Sequence, residues 1–147
     1  MYRIVLDPVT LLRGLLNPHS PCRLLLFDYA DRYHALFSDE TVRVVRILVL
    51  HPILVVGLPS LVKINHSRLT RILLRAERVS IPAEHDDNLF VAVARAAQAD
   101  YLVCEDRNLL ARRDQLGVPV IDAATFLSLL DPDRIFDPEP VGAGGLS

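Results

Sequence analysis

The sequence DDNLFVAVARAAQADYLVCEDRNLL, residues 86–110, combines a helix, a short strand and an acidic turn. Residues 90–97 are rich in alanine, which favours a helix that packs closely against its neighbours. Residues 101–104 form an apolar run typical of a buried strand, and Glu105 and Asp106 follow it directly. This part of the chain therefore predicts a helix–strand unit with carboxylates at the end of the strand.

Upstream of this unit, the chain alternates strand and helix patterns. Residues 2–6 form an apolar run that ends at Asp7, and residues 33–37 form a second run that ends at Ser38, a good helix N-cap. Apolar residues at helical spacing, separated by Pro and Gly breaks, predict helices. These predicted helices lie around residues 11–16, 22–31, 39–50 and 60–77.

Downstream, the same alternation continues to residue 130. A short helix is predicted from residue 109, a strand at 118–121 and a last helix at 123–130. This order favours an α/β fold, a parallel sheet of four to five strands with helices on both faces. We expect one domain at residues 1–131, followed by a flexible Pro- and Gly-rich tail at 132–147.

The composition fits one folded cytoplasmic domain. With 51% of 147 residues apolar and 23% charged, the chain has enough apolar side chains for a core. The apolar stretch 42–62 is interrupted by Arg43, Arg46 and two prolines, so we predict no membrane span. Cys22 and Cys104 lie far apart and are expected to be buried thiols. The net charge of −2 excludes strong overall basicity.

Three aspartates occupy the predicted ligand-binding edge of the sheet. Ligands of open parallel sheets lie beyond the carboxyl ends of the strands, where Asp7 and Asp106 are expected. Asp87 precedes the helix that leads into the strand before Asp106. Clustered carboxylates repel one another and favour a divalent cation, here Mg²⁺ or Mn²⁺. Such a metal activates water and polarises a phosphodiester, which makes hydrolysis of nucleic acid the expected chemistry.

Four segments of the chain together resemble PIN-domain proteins of the VapC-like toxin type. The segments are VLDPVTLLRGLLNPHS (5–20), FSDETVRVVRILVLHP (37–52), residues 86–110 and GVPVIDAATFL (117–127). The resemblance implies a Rossmann-like sheet, a Mg²⁺ or Mn²⁺ site and cleavage of single-stranded RNA. It also implies a homodimer and neutralisation by a small antitoxin protein. It places the catalytic, metal-binding carboxylates on Asp7, Asp87 and Asp106, with Asn108 as a weaker ligand.

The sequence departs from that family at two places. Where the family commonly has Thr-Asn after the first aspartate, this chain has Pro8-Val9, and Thr10 offers the nearby hydroxyl. The family's metal-site glutamate in the third helix falls on Val44, which cannot bind a metal. Glu40 precedes Val44 by one helical turn on the same face, so it is a second weaker candidate for a ligand.

Each acidic residue also has a purely structural interpretation. Asp7 would serve as a helix N-cap, as would Asp87 or its neighbour Asp86. Asp106 would be a turn residue, and Glu40 a solvated acid in the first turn of its helix. The joint placement of the three aspartates favours the functional interpretation.

Two surfaces have both a functional and a structural interpretation. Four arginines recur at helical spacing, which predicts either a solvated face or a stripe that follows an RNA backbone. They are Arg68, Arg71, Arg75 and Arg78. Residues 44–50 have more apolar side chains than one helix face requires, so this helix is expected to have a second apolar face. That face would contact a dimer partner or an antitoxin. Alternatively, it is buried in the monomer.

Two functions remain open at this point. One is a metal-dependent endoribonuclease, which the three aspartates favour. The other is a catalytically degenerate module that binds an antitoxin, RNA or a second copy, which Val44 and Asn108 favour. A phospho-accepting receiver domain is excluded because Asp7 has no adjacent acid and Lys63 is not after a late strand. The chain also has no Gly-rich phosphate loop, which argues against nucleotide binding of the Rossmann or P-loop type.

Overall fold

The computed structural model describes residues 1–50 and 66–138, with the backbone alone at residues 49, 50 and 66. The strands in these ranges are β1 (Tyr2–Leu6), β2 (Tyr33–Phe37), β3 (Glu77–Arg78), β4 (Tyr101–Val103) and β5 (Val120–Ile121). The helices are α1 (Pro8–Leu16), α2 (Pro21–Phe27), α3 (Asp39–Leu50), α4 (His66–Arg75), α5 (Leu89–Ala96), α6 (Arg107–Ala111) and α7 (Ala123–Leu130). None of these helices is long and apolar enough to cross a bilayer.

The strands form one parallel sheet in the order β3-β2-β1-β4-β5. In the central strand β1, Ile4 lies opposite Ala35 of β2 on one side and Tyr101 of β4 on the other. The predicted parallel α/β sheet is therefore confirmed. The chain adds β2 and β3 on one side of β1, and then β4 and β5 on the other side. The strand order therefore reverses between β1 and β4, which makes this place the switch point of the sheet.

Both faces of the sheet are covered. Ile4, Val5 and Leu6 are at most 1% exposed, and successive residues of a strand point to opposite faces. A central strand that is buried on both faces is typical of a parallel sheet between two layers of helices. Helix α2 packs against α4 and α7, and α5 packs against α3 and three strands of the sheet. The predicted helices on both faces are confirmed.

Short polar side chains cap helices α1, α2, α5, α6 and α7 at their amino-terminal ends. Each cap accepts a hydrogen bond from an amide in the first turn, which stabilises a helix by about 1 kcal/mol. The caps are Asp7 for α1, Ser20 for α2, Asn88 for α5, Asp106 for α6 and Asp122 for α7. Three of these caps, Asp7, Asp106 and Asp122, lie just beyond strands β1, β4 and β5, so they place carboxylates along one edge of the sheet.

Gly14 allows α1 and α2 to pack at very close range. A Cβ atom at this position would lie 2.7 Å from the carbonyl oxygen of Cys22 and would also overlap the side chain of Leu26. A backbone atom cannot move aside as a flexible side chain can, so a larger residue would push the helices apart. Gly14 thereby fixes α1, the helix that Asp7 caps.

Two predicted helix ends differ from the structure. Helix α2 ends at Phe27 and not at residue 31, because a 3₁₀ turn at Ala30–Arg32 leads into β2. Helix α4 ends at Arg75 and not at residue 77, because Glu77 and Arg78 pair with β2 as a fifth strand. The predicted start of that helix at residue 60 lies outside the described residues.

The segment that follows α7 packs against the domain. Asp131 accepts a hydrogen bond of 2.7 Å from the Tyr29 hydroxyl, to which Arg134 also donates at 3.2 Å. The ring of Phe136 lies edge-on to Tyr29, with 5.7 Å between centroids, and is partly buried against the core. Within the predicted tail, Phe136 is therefore partly buried against the domain, whereas the other residues of 132–138 are exposed. The remainder of the tail, residues 139–147, lies outside the described residues.

Candidate functional site

The carboxyl ends of β1 and β4 form the candidate site. These two strands are neighbours, and the backbone amide of Asp7 donates to the carbonyl oxygen of Val103 at 3.1 Å. Helix α1 starts at the end of β1, and three residues, 104–106, separate the end of β4 from the start of α6. A crevice between two strands from which the chain departs in different directions is the usual ligand site of an open parallel sheet.

Asp7 is a buried carboxylate held in one orientation. It is 1% exposed, and Oδ1 accepts hydrogen bonds from the Thr10 amide at 3.0 Å and the Thr10 hydroxyl at 2.5 Å. The backbone amides of Glu105 and Val9 also lower the pKa of Asp7, each less than Thr10 does. Burial nevertheless raises the pKa of Asp7 above its ordinary value, and these hydrogen bonds offset only part of that effect. Asp7 is thus the N-cap of α1 and also a desolvated acid, which capping alone does not require.

The Cys104 thiol lies between Asp7 and Asp106. Burial raises the pKa of this thiol first, and the negative charges of both aspartates raise it further. The Asp106 amide donates to Cys104 Sγ at 3.3 Å, and the side chain of Cys104 also interacts with that of Asp7. The thiol is therefore neutral, and two of the predicted carboxylates flank it. Its burial confirms the prediction for this cysteine.

Asp106 and Asn108 belong to one turn at the start of α6. Oδ1 of Asp106 accepts the Asn108 amide at 2.9 Å, so Asp106 caps the helix. Asp106 is half-buried, whereas Asn108 is exposed. Asp106 therefore combines a capping bond with a position beside Asp7, and Asn108 lies on the solvent side of the same turn.

Glu105 is a further acid at this edge, and it was not among the predicted metal ligands. Its side chain is 9% exposed, and Oε1 accepts the Ala123 amide at 2.6 Å. Oε2 lies 3.9 Å from a guanidinium nitrogen of Arg13. Glu105 therefore connects the end of β4 with the last turn of α1 and the start of α7. Glu105 follows β4 closely, as Asp122, the cap of α7, follows β5. This position directly after a strand is the feature of the sequence that could have indicated Glu105.

Replacing Glu105 with alanine is expected to destabilise the protein by about 1–3 kcal/mol, because the Ala123 amide and Arg13 both lose a partly buried acceptor. Glu105→Gln keeps an acceptor for Ala123 and is expected to cost less. Urea denaturation of both variants beside the wild type measures the difference. Equal stability of the alanine variant and the wild type would show that the carboxylate contributes no net stability.

The loop before α5 places Asp87 in solvent. Asp86 accepts the amide of Asn88 at 2.9 Å, and Asn88 in turn accepts the amides of Phe90 at 2.9 Å and Val91 at 3.2 Å. The N-cap is therefore Asn88, and the predicted caps Asp86 and Asp87 were wrong. Three adjacent residues of capping type made the choice impossible from the sequence alone. Asp87 is exposed, and its role as a metal ligand stays a prediction.

The start of α3 confirms the predicted Ser38 cap. Ser38 Oγ accepts the Thr41 amide at 3.1 Å, and Thr41 Oγ1 accepts the Ser38 amide at 2.8 Å. Hydrogen bonds from its own amide and from the Ser38 hydroxyl lower the pKa of Glu40, with smaller effects of Arg43 and His85. This carboxylate therefore folds back on its own helix terminus. One turn later, Val44 packs against the core as a partly buried apolar residue.

Asp7 and Asp106 are the predicted ligands that the structure brings together. Within residues 1–50 and 66–138, no three His, Cys, Asp or Glu side chains are arranged to hold a metal ion. Glu40 is partly exposed and Asp87 is exposed. The candidate site therefore consists of a pair of carboxylates with Cys104 between them.

The predicted arginine stripe does not lie on one helix. Arg68, Arg71 and Arg75 are on α4, but Arg78 is in β3 and lies 3.8 Å from Asp39 at the start of α3. The three helical arginines line a pocket with Tyr33, at the amino-terminal end of the sheet. They are thus at the opposite end from Asp7, and the RNA-binding role of the stripe stays a prediction.

A comparison with solved structures identifies the fold. The chain is similar to a PilT N-terminus domain protein from the hyperthermophilic archaeon Sulfolobus solfataricus P2, with a TM-score of 0.55. The match has 16% sequence identity and covers 92% of this chain and 98% of that chain. The chain has a PIN-domain fold. No family model and no curated protein matches the sequence.

Proposed function

We propose that this protein is a Mg²⁺- or Mn²⁺-dependent endoribonuclease of the toxin type that hydrolyses single-stranded RNA. The observation that carries the proposal is the pair of carboxylates at the switch point, Asp7 and Asp106, which flank Cys104. The PIN-domain fold supports a nuclease, since the acids lie where ligands of parallel sheets bind.

The two carboxylates fit a magnesium-type ion. Magnesium is commonly held by one or two carboxylates, with water and substrate phosphates completing an octahedron. Asp7 is buried, so its ionised form is unfavourable there. A bound cation would offset the cost of ionising this carboxyl group. When bound, such an ion lowers the pKa of a water molecule and neutralises charge that develops on a phosphodiester. Asp87, Glu40 and Asn108 remain candidates for further oxygen ligands.

The side chains around the pair would act mainly by orientation. Thr10 and the amides that donate to Asp7 fix its carboxylate, so little ordering is needed when a ligand binds. Capping of α6 fixes Asp106 in the same way. Glu105 pairs with Arg13 in the last turn of α1 and accepts the amide of Ala123 at the start of α7, so it holds both helices against β4. The carboxylates can therefore keep their positions while RNA binds and leaves.

A second candidate function rests on Val44. A partly buried valine occupies the position where the PIN-domain family commonly has a glutamate, and Glu40 is directed to its own helix terminus. These two observations favour a catalytically degenerate module that binds an antitoxin, RNA or a second copy of itself. Ile47 on the same helix is 60% exposed and would belong to such an apolar contact.

Calorimetric titration with Mn²⁺ tests the proposal directly. We expect the wild type to bind Mn²⁺, and Asp106→Asn to bind it about 10-fold or more weakly, since one of two charged ligands is lost. Glu40→Gln should change the affinity only if that side chain reaches the metal. Asp114→Asn, an exposed acid on the turn after α6, is the matched control and should bind like the wild type. Cleavage of a single-stranded RNA is then measured with the same four proteins.

The outcomes separate the two candidate functions. Binding and cleavage that both weaken in Asp106→Asn, but not in Asp114→Asn, would support the nuclease. A wild type that binds no Mn²⁺ and cleaves no RNA would contradict it and favour the binding module. A small antitoxin protein, a homodimer and a cytoplasmic location are further parts of this proposal, and sedimentation of the purified protein tests the dimer.

A further inference from the structure

Helix α6 and the 3₁₀ turn after it, Arg113–Gln115, form an exposed basic segment beside Asp106. Its three arginines, Arg107, Arg112 and Arg113, are all exposed. Within residues 1–50 and 66–138, their side chains form no hydrogen bond or ion pair. The positive charges of these three arginines are therefore available to a ligand.

The exposed side of α6 lies opposite the two leucines that the helix packs inward. Leu109 is 3% exposed, and Leu110 is partly buried against the core. At about 100° per residue, the remaining residues of the helix and its C-cap fall within an arc of roughly 140°. They are Arg107, Asn108, Ala111 and Arg112, all of them exposed. We call these four residues the α6 face, which has an arginine at each edge.

The α6 face begins at the carboxylate pair and leads away from it. Arg107 directly follows Asp106, so their Cα atoms are about 3.8 Å apart. Arg112 lies five residues further, roughly 7.5 Å along the helix axis at 1.5 Å per residue. This spacing is close to that between successive phosphates of an extended nucleic-acid strand. The two guanidiniums can therefore contact neighbouring phosphates of a strand that passes Asp106.

A polyanionic ligand requires positive charge at this edge of the sheet. Asp7, Asp106 and Asp122 directly follow strands or strand ends here, and their carboxylates repel phosphate groups. Among residues 107–115, Asp114 is the only acid, so α6 and the turn after it have a net positive charge. This positive segment attracts a phosphate backbone to a site that the aspartates alone would repel.

We propose that the α6 face binds the phosphodiester backbone of single-stranded RNA beside the carboxylate pair. The inference rests on the proposed function for the identity of this ligand. Each guanidinium donates parallel hydrogen bonds to phosphate oxygens, and the side-chain amide of Asn108 is a further donor. Residues 107–113 include no aromatic ring on which a base could stack, so this contact is independent of base sequence. The arginines of α4 are the competing location for RNA.

Binding of a short, fluorescently labelled oligouridylate in metal-free, low-salt buffer tests this proposal. Fluorescence anisotropy gives the affinity. We expect Arg107→Gln and Arg112→Gln each to weaken binding, and the double variant to bind about 10-fold or more weakly than the wild type. Arg71→Gln is the matched control, because it removes an exposed arginine of α4 at the opposite end of the sheet. This control should bind RNA like the wild type.

The salt dependence of the affinity shows whether phosphates are contacted. For single strands, each phosphate contact contributes about 0.7 to the slope of log affinity against log salt concentration. The slope of the double variant is therefore expected to be smaller by about 1.4. An oligoadenylate should lose as much affinity as the oligouridylate, because backbone contacts carry no sequence information. Glutamine resembles arginine in helix propensity, so urea denaturation of the double variant should match the wild type.

Three results would overturn the proposal. They are an unchanged affinity or salt slope in the double variant, an equal or larger loss in Arg71→Gln, and a loss that depends on the base. An oligoglutamate peptide that depends on Arg107 and Arg112 more strongly than RNA does would also overturn it, and would assign the α6 face to a protein partner.

Failure of this inference is distinguishable from failure of the proposed function. A wild type that binds no Mn²⁺, but binds RNA through Arg107 and Arg112, would support the α6 face and contradict the nuclease. A double variant that binds RNA and Mn²⁺ and cleaves RNA like the wild type would overturn the α6 face alone.

Discussion

Replacing Asp7 with asparagine is expected to reduce RNA cleavage by about 100-fold or more, because loss of even a supporting group around a metal costs about 10–100-fold. The substitution keeps the shape of the side chain and an oxygen that can accept the two hydrogen bonds from Thr10. Cleavage rates at saturating Mn²⁺, measured for the variant and the wild type, give the effect. A variant that cleaves RNA at the wild-type rate would exclude Asp7 from catalysis.

Stability measurements separate this effect from unfolding. Burial raises the pKa of Asp7 in the folded protein, so its protonated form is favoured there. The resulting stabilisation is fully present below the ordinary pKa of 3.8 and is lost as the pH rises through the raised value in the folded state. In metal-free buffer, the wild type is therefore expected to lose stability relative to Asp7→Asn as the pH rises above about 4.

Addition of Mn²⁺ should reverse that trend. A metal that binds only the folded protein raises its stability in proportion to the logarithm of the metal concentration. The wild type should therefore gain stability on addition of Mn²⁺ at pH 7, and Asp7→Asn should gain much less. Urea denaturation with and without Mn²⁺ measures both values. An equal gain in the two proteins would mean that the metal binds elsewhere.

The long strands could be predicted because burial on both faces leaves a local signal. In β1, three successive residues are buried, and the sequence shows them as an uninterrupted apolar run. Strand β3 has no such run, since Glu77 and Arg78 are both exposed. Only pairing with β2, about 40 residues earlier in the chain, makes these two residues a strand. A contact between distant segments of this kind leaves no local pattern to find.

Only part of the acidic site could be predicted from local sequence patterns. Asp7 and Asp106 follow apolar runs, so the topology of a parallel sheet places them together. The bonds of Glu105 to Ala123 and Arg13 depend on how α1 and α7 are oriented around the site, which the sequence does not contain. The same limit applies to the position of Asp87.

The arginines show how far a surface can be predicted from the sequence. Spacing of three and four residues predicts one helical face, and it holds for the three arginines on α4. It fails at Arg78, because α4 ends at Arg75. The direction of that face was also unpredictable, because it depends on the packing of α4 against α2 and β2. The arginines line the end of the sheet opposite to the carboxylates.

Replacing Phe126 with alanine is expected to destabilise the protein by about 3–5 kcal/mol, the usual cost of removing a buried aromatic ring. Phe126 is 0% exposed and lies edge-on to the rings of Tyr2 and Tyr33, at 5.7 and 5.9 Å between centroids, with Tyr101 at 6.1 Å. These tyrosines begin three neighbouring strands, so a cavity here loosens α7 against the sheet. Urea denaturation measures the loss.

Leu74→Ala is the matched control for this cavity. Leu74 is 80% exposed on α4, so its truncation should change stability by no more than about 0.5 kcal/mol. Phe126→Leu should fall between the two, because it keeps part of the buried volume. The aromatic cluster lies at the amino-terminal ends of β1, β2 and β4, whereas the carboxylates lie at the opposite ends. Below its unfolding transition, Phe126→Ala should therefore bind Mn²⁺ like the wild type, and weakened binding would mean that α7 transmits the distortion through Glu105.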